Sequence, residues 1–416
     1  MITVIISYFL IKAIVFCKKG DELIKKFILI ILIVALTFSS CEKSTSDKTA
    51  TPETQSNYII GAWINYNEIR ELIDSASNQS EFDTIVDSKL KILNTYDVNT
   101  VFLHCRAFDD CFYKSDIFPV SEYASNEAGE LKFDILDTFI RISQKYNIQI
   151  HAWINPYRIR KDGKKEKVNP LSPAYEIINN GNSSQELILC DNAIYYNPAS
   201  YSTQKRIFEG IREILENYEV AGIHFDDYFY PSTSNDIDNL LYNDYTEQGG
   251  KLSLQDYRRQ CVNTMISSVY SLIKGYNDAL IFSISPAANI ESNYNSSYAD
   301  VALWTQSPGY TDWIIPQIYF GFEHEKMPFL KVLEQWENLA DENGVKLIIG
   351  LPLYKSGKED FYAGTGAQEW QKNSDIISRQ IKCIHENEKI GGYVYYSASY
   401  LYNDISKEEN SNILSE

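Results

Sequence analysis

Eight short apolar runs, all but the last followed by a helical stretch, leave this chain few folds to choose from. The first four are Tyr58 to Asn65, Thr100 to Ala107, Gln149 to Pro156 and Val220 to Tyr228. Leu280 to Pro286, Trp313 to Tyr319, Lys346 to Leu353 and Gly391 to Ser399 follow. The runs are apolar on both faces, as parallel strands covered by helices are. Helical periodicity marks Phe82 to Asn94, Phe133 to Tyr146, Ser202 to Asn217, Leu254 to Tyr276, Pro328 to Asn343 and Gln368 to Asn387, with a short piece over Tyr298 to Thr305. Strand and helix alternating in this way predict an α/β protein of the (β/α)8 or TIM-barrel type. The rival is a doubly wound open sheet, which usually carries a glycine-rich phosphate turn after its first strand. Trp63-Ile64-Asn65-Tyr66 occupies that place here. Long polar excursions follow the third and fourth runs, the first of them containing the basic run Arg158 to Lys167. No comparable helix signal follows the eighth run, so the tail after Tyr400 is expected to fray.

The barrel is expected over 58–401, with a polar tail over 402–416, a signal segment over 1–41 and a flexible tether over 42–57. Neither Ile2 to Cys17 nor Phe27 to Phe38 reaches the roughly 20 apolar residues of a spanning helix. Lys25 and Lys26, an apolar run and then Phe38-Ser39-Ser40-Cys41 have the order of a secretory signal ending in a bacterial lipobox. Cys41 is therefore the expected lipidated first residue of the mature protein, holding it to a membrane of the cell envelope. A plain membrane anchor is the other reading. The net charge of −18 and pI of about 4.8 argue against nucleic acid as a partner. The seven cysteines are scattered without CxxC spacing, so no zinc knuckle or disulfide framework is expected. No metal or cofactor is expected either.

The fourth run and its sequel read Ala-Gly-Ile-His-Phe-Asp-Asp-Tyr-Phe-Tyr-Pro from Ala221 to Pro231. This strand turns acidic only at its C-terminal end, and in parallel α/β sheets ligands bind outside that end. Period-2 alternation puts His224 and Asp226 on one face, with Asp227 turned away or already in the loop. A helix-capping Asp beside a solvated one would also give this pair. The other strand ends decide between the readings. They carry Asn65, Arg106, Asn155, Ser285, Gln317 with Tyr319, Tyr354 and Ser397. Polar groups at every exit need partners, and a ligand rich in hydroxyls would supply them. His104 and His151 lie one layer deeper, where a satisfied core histidine and a substrate contact are equally in view.

The stretches GIHFDDYFYP, VFLHCRAFDDCFYKSDIFP, HAWINPYR and IPQIYFGF resemble the glycosyl hydrolase-like 10 family, envelope-associated barrels related to glycoside hydrolases. The resemblance runs from about Ile59 to Ser399. In the second motif the family tends to have Arg, Pro, two small residues and then Asp. Arg106 and Asp110 match, Ala107 and Phe108 depart from that pattern, and Tyr113 falls in the same stretch.

The resemblance implies a glycosidase, and glycosidic hydrolysis normally needs two carboxyl groups. Asp226 is expected to be the nucleophile or base. Its partner is sought in the order Glu323, Asp227, Asp110. Glu323 lies among Tyr319, Phe320 and Phe322, which would raise its pKa toward that of a general acid. Asp110 follows Arg106, a counter-ion that would lower its pKa. Asp109 and Glu68 complete the acids near the exits, Glu68 reading as the solvated start of the next helix. Asn65, Arg106, Tyr113, His151, Trp153, Asn155, Arg158, His224, Tyr228, Gln317 and Tyr319 form the expected lining for an oligo- or polysaccharide, with Tyr230 and Phe320 as further stacking rings. Arg158 and the basic run point to an anionic sugar or to a solvated loop. The alternative function is a glycan-binding lipoprotein that holds sugar without cutting it. A deacetylase or metal hydrolase would want a histidine and aspartate cluster with motif spacing, and the five histidines sit on separate strands.

Overall fold

The computed structural model describes residues 58–415 apart from 182, 191 and 341–343. The expected signal segment, Cys41 and the tether lie outside the described residues. From Ile59 on, the chain forms a closed eight-stranded parallel barrel. β1 (Ile59–Ile64) leads to α1 (Tyr66–Asp74) and α2 (Gln79–Asn94), then β2 (Thr100–Arg106), α3 (Ile135–Ser143) and β3 (Gln149–Ile154). The excursion after β3 holds β4 (Arg158–Arg160), α4 (Pro173–Asn179), β5 (Leu187–Cys190) and β6 (Ala193–Tyr196). It ends in α5 (Tyr201–Asn217), which leads to β7 (Gly222–Phe225), the fourth strand of the barrel. α6 (Asn239–Glu247), α7 (Leu254–Tyr276), β8 (Ile281–Ile284), α8 (Ile290–Ser296), α9 (Val301–Gln306) and β9 (Trp313–Ile314) come next. α10 (Phe329–Leu339), β10 (Lys346–Leu351), α11 (Ile376–His385), β11 (Ile390–Tyr395) and α12 (Lys407–Ile413) complete the chain. The barrel order is β1-β11-β10-β9-β8-β7-β3-β2, so the first strand closes against the last.

Side-chain parity sorts each strand. Trp63, Phe102, Trp153, Trp313, Ile315, Ile348 and Val394 form a separate buried cluster that fills the barrel. Alternate residues such as Ile64, Val101, Leu103, Ile223 and Phe225 join the larger core under the helices. Gly222 has to be glycine, since a Cβ there would stand 2.3 Å from the Ile281 carbonyl and 2.8 Å from His151 Nδ1.

Four expectations change. The strand signals overran: the fourth run pairs only over Gly222–Phe225, and the sixth only over Trp313–Ile314. Pro316 has no N–H to give a ladder, so Gln317 continues the sixth run through single bridges to Ala287 and Gly350. The excursion after the third strand is not merely polar loop, for β4, β5 and β6 make an antiparallel sheet of their own. The helix expected over Gln368 to Asn387 breaks at Asn373, giving a single turn at Glu369–Lys372 and then α11. The tail does not fray. Asp375 makes no side-chain cap on α11, and buried Glu409 of α12 does so instead, accepting from the N–H groups of Ile376 and Ser378 at 3.1 Å each.

Candidate active site

Asp226 follows the last residue of β7, at the C-terminal mouth of the barrel, and is 2% exposed. Its Oδ2 accepts from Trp153 Nε1 at 3.0 Å and from Asn155 Nδ2 at 3.3 Å. No side chain among the described residues donates to Oδ1, while the backbone N–H of Tyr228 approaches the carboxyl and favours its charged form. Burial pushes this carboxyl up to about 7. The nearby Arg158 guanidinium opposes the rise, and the neighbouring Asp227 carboxylate adds to it. An acid poised near neutrality with one oxygen unspent is equipped to exchange a proton with a ligand.

Asp227 has left the strand and is half-buried, bonded through its side chain to Gln317. Burial raises its pKa as well. Gln317 is itself fixed, since its Nε2 donates to the Ser285 carbonyl at 2.9 Å. Arg158 completes the charge pattern. Its guanidinium stands over the rings of Tyr228 and Phe108, at 4.2 and 4.8 Å from their centroids. Its Nε donates to the Ala107 carbonyl at 3.2 Å. Arg158 is thus a placed cation beside two carboxylates, not part of a solvated loop. Around it the half-buried rings of Tyr319, Tyr354 and Tyr396 pack on one another, Tyr319 and Tyr396 being stacked with centroids 5.6 Å apart. Tyr66 meets Phe108 and His104 edge-on at 5.3 and 5.7 Å on the other side.

Several expected ligand contacts are instead spent within the protein. Asn65 caps α1: its Oδ1 accepts from the N–H of Asn67 at 3.0 Å, and its Nδ2 donates to Glu68 at 2.9 Å. Glu68 is buried, not solvated. It accepts from Asn65 N, Ser397 Oγ and Ser399 N at 2.7 Å each and so clamps the first strand end to the last. Asn155 is fully buried and bonded to Asp226 and to the N–H groups of Tyr157 and Arg158, bracing Asp226 with one Nδ2 hydrogen still free of the bonds named. His224 is a core histidine. Its Nε2 accepts from Trp63 Nε1 at 3.0 Å and its Nδ1 lies 2.8 Å from Ser283 Oγ, so the proton belongs on Nδ1. Ser285 Oγ also meets His224 Nε2, at 3.0 Å. His151 is buried below the mouth against Trp313, with its pKa down to about 3 from burial.

Arg106 is displaced by a bulge. The β2–β3 register slips between His104 and Arg106, which reverses the parity of the strand end. Arg106 therefore leaves the mouth and lies buried over Phe118, its guanidinium 3.7 Å from the ring centroid, under Gly210 of α5. Tyr113 is fully buried in the core beside Tyr218. Asp109 is structural, accepting from Tyr196 OH at 2.6 Å and from the N–H of Ala174 at 3.0 Å. Asp110 is pushed up to about 7, against expectation, because burial outweighs the pull of Arg106. It lines a cleft of about 430 Å³ beside the mouth, with Phe108, Tyr123 and Lys161. Glu323 is exposed, without the apolar surroundings expected of it. Glu369 takes the place beneath that turn, accepting from the N–H groups of Phe322 and Glu323 at 2.9 Å each. Of the three possible partners, Asp227 alone adjoins Asp226 and raises its pKa.

The profile of the family described as glycosyl hydrolase-like 10 matches residues 58–362. The chain belongs to that family. The glycosyl hydrolase-like 10 match takes in β1 through β10, with Asp226, Asp227, Arg158, Gln317, Tyr319 and Tyr354 of the mouth, and stops short of Glu369 and Tyr396. The glycosyl hydrolase YngK of Bacillus subtilis is 29% identical over 319 residues, covering 72% of this chain and 60% of that protein. The glycosyl hydrolase DigH of Escherichia coli is 24% identical over 432 residues, covering 92% and 95%. Among solved structures, the PgaB glycoside hydrolase domain of Bordetella bronchiseptica has a TM-score of 0.59 at 10% identity, covering 86% of this chain and 98% of that one. Alpha-L-fucosidase isoenzyme 2 of Paenibacillus thiaminolyticus has a TM-score of 0.54 at 11% identity, covering 86% and 49%. These two likenesses concern the fold. With the family, they make this a glycoside-hydrolase-related barrel protein.

One ring of the mouth, Tyr396, and one buried acid, Glu369, were not read from the sequence. Tyr396 shares the parity of Val394, which faces the barrel interior, so the alternation in GGYVYYSAS could have pointed to Tyr396 instead of Ser397. Glu369 carried no signal, because its partners are backbone N–H groups 46 and 47 residues away.

Proposed function

We propose that this protein hydrolyses O-glycosidic bonds of a cell-envelope or environmental polysaccharide, with Asp226 and Asp227 as the working pair. The observation that carries this reading is Asp226 itself: buried at the strand end, held by one oxygen, and pushed up to about 7 with a second carboxylate beside it. Two adjacent carboxylates cannot both ionise cheaply, so near neutrality the pair holds one proton. That provides one acid and one anion, the two forms glycosidic hydrolysis uses. Asp226 is the better proton holder, which reverses the role first expected of it. Asp227, half-buried and bonded to Gln317, is the better anion. The tyrosines of the mouth offer flat faces to pyranose rings, and Arg158 offers a fixed positive charge.

Release of reducing ends from a panel of neutral and acidic polysaccharides tests this. Wild-type protein is expected to cut at least one, with a rate that declines on the alkaline side near pH 7 as Asp226 loses its proton. Asp226→Asn keeps an oxygen to accept from Trp153 and should remove turnover without unfolding the barrel. A variant that cuts at the wild-type rate overturns the assignment.

A lipid anchor at Cys41 is part of the same proposal, supported by the order of charged, apolar and small residues before that cysteine. Cys41→Ser should abolish labelling by a fatty-acid probe in cells, and unchanged labelling counts against the anchor.

A further inference from the structure

The loop after β10 carries two aromatic rings that the mouth does not use. Phe361 is 80% exposed and Tyr362 90%. A chain that leaves two adjacent rings in water forgoes the gain of burying them and keeps two flat apolar faces open to a ligand. The loop that holds them is braced. Lys355 Nζ pairs with the buried Asp360 carboxylate and donates to the Tyr319 carbonyl at 2.8 Å. The Asp360 N–H donates to the Ala367 carbonyl at 2.8 Å, and that of Gly357 to the Trp370 carbonyl at 3.0 Å. Glu325 ties the far side, donating its N–H to the Ala363 carbonyl at 2.9 Å and accepting from the N–H of Thr365 at 3.2 Å. The two rings are thus presented on an ordered support.

Their position connects them to the mouth. Every loop that follows a barrel strand opens on the C-terminal face, where Asp226 lies. Tyr354, at the start of this loop, meets Tyr319 and Tyr396 edge-on at 5.9 and 5.8 Å. Lys358 then lies over the rings of Tyr354 and Tyr400, at 6.0 and 4.9 Å. The loop that carries Phe361 and Tyr362 is thus anchored in the mouth at its start, through Tyr354.

We propose that Phe361 and Tyr362 form an outlying sugar-stacking platform that holds pyranose units of a polysaccharide beyond those at the mouth. The proposal rests on the reading of the mouth as a glycan site, which supplies the identity of the ligand. A pyranose presents an apolar C–H face within a rim of hydroxyls. A flat ring covers the face, and the polar residues that neighbour the rings in sequence, Glu359 and Asp360 before them and Thr365 after, make the loop around them hydrophilic. A protein partner would want a contiguous apolar patch, whereas these two rings stand among polar neighbours along the loop. The consequence is dependence on chain length: long chains gain from the platform and short ones do not reach it.

Affinity electrophoresis of the whole protein through gels containing glycol chitin, carboxymethylcellulose or dextran measures this. Asp226→Asn serves as the parent so that no probe is cut. Phe361→Ala with Tyr362→Ala is expected to weaken retention about tenfold in at least one gel, with an unchanged melting temperature. Phe361→Trp with Tyr362→Trp should restore it. Retention equal to the parent's overturns the platform, as does a parent that none of the three probes retains. Loss of self-association in sedimentation, or of binding to phosphatidylglycerol vesicles, with retention intact would assign the rings to a second copy or to a lipid surface. Because retention needs no turnover, an Asp226→Asn variant that still cuts glycan sinks the catalytic reading and leaves this one standing.

Discussion

Two strand ends of the barrel each bury a carboxylate, and they use it differently. At the seam between the first and last strands, Glu68 is buried and its pKa is raised by that burial, yet both oxygens are taken by Asn65, Ser397 and Ser399. Over the fourth strand, Asp226 is equally buried and also raised, but no side chain among the described residues donates to Oδ1, and only the Tyr228 N–H approaches the carboxyl otherwise. Burial and a displaced pKa are therefore common to a clamp and to a working acid. What separates them is hydrogen-bonding capacity left unspent, which the native state leaves available to a ligand.

Activity separates the two most sharply. Asp227→Asn is expected to lower turnover by about 10²- to 10⁴-fold, while Glu68→Gln leaves turnover per folded molecule within about threefold. An equal loss in both variants would erase the distinction. Stability should run the other way. Glu68→Gln turns an amide toward N–H and O–H donors, and urea denaturation should show a loss of about 1–3 kcal/mol.

The smallest effect depends on pH. Asp226 has a folded pKa of about 7, against about 3.9 in the unfolded chain. Between these values the native state keeps a proton that the unfolded state has lost, so this residue lets stability fall as pH rises from about 4 to about 7. Asparagine has no such penalty. Asp226→Asn should melt about 2–5 °C above wild type at pH 8 and level with it at pH 4. A constant difference across that range would mean that Asp226 is not held protonated.

Much of the fold was legible because barrel strands announce themselves twice, by apolar runs and by the helices between them. The (β/α)8 expectation holds, and α7 spans Leu254–Tyr276 as its periodicity implied. Boundaries were less legible, since Pro316 and the early end of β7 act through ladder hydrogen bonds that composition does not display. At the site, sequence pointed to the acids but not to their settings. A single bulge at Cys105 carries Arg106 out of the mouth, and no local signal announces it. The tail was misjudged because Glu409 earns its place only by capping a helix 31 to 33 residues upstream. Glu323 looked apolar because its neighbours in sequence are aromatic, whereas the turn exposes its side chain.

The clamp at Glu68 has a consequence for the order of assembly. It joins positions 329 and 331 residues apart, and the segment it grips adjoins Tyr396 of the mouth. Such a contact forms only once nearly the whole chain has been brought together, and contacts of that span are slow to form. The mouth is therefore among the last parts to be completed. Refolding followed by helix signal should run ahead of refolding followed by ligand binding, because a nearly closed barrel still lacks one wall of its cleft.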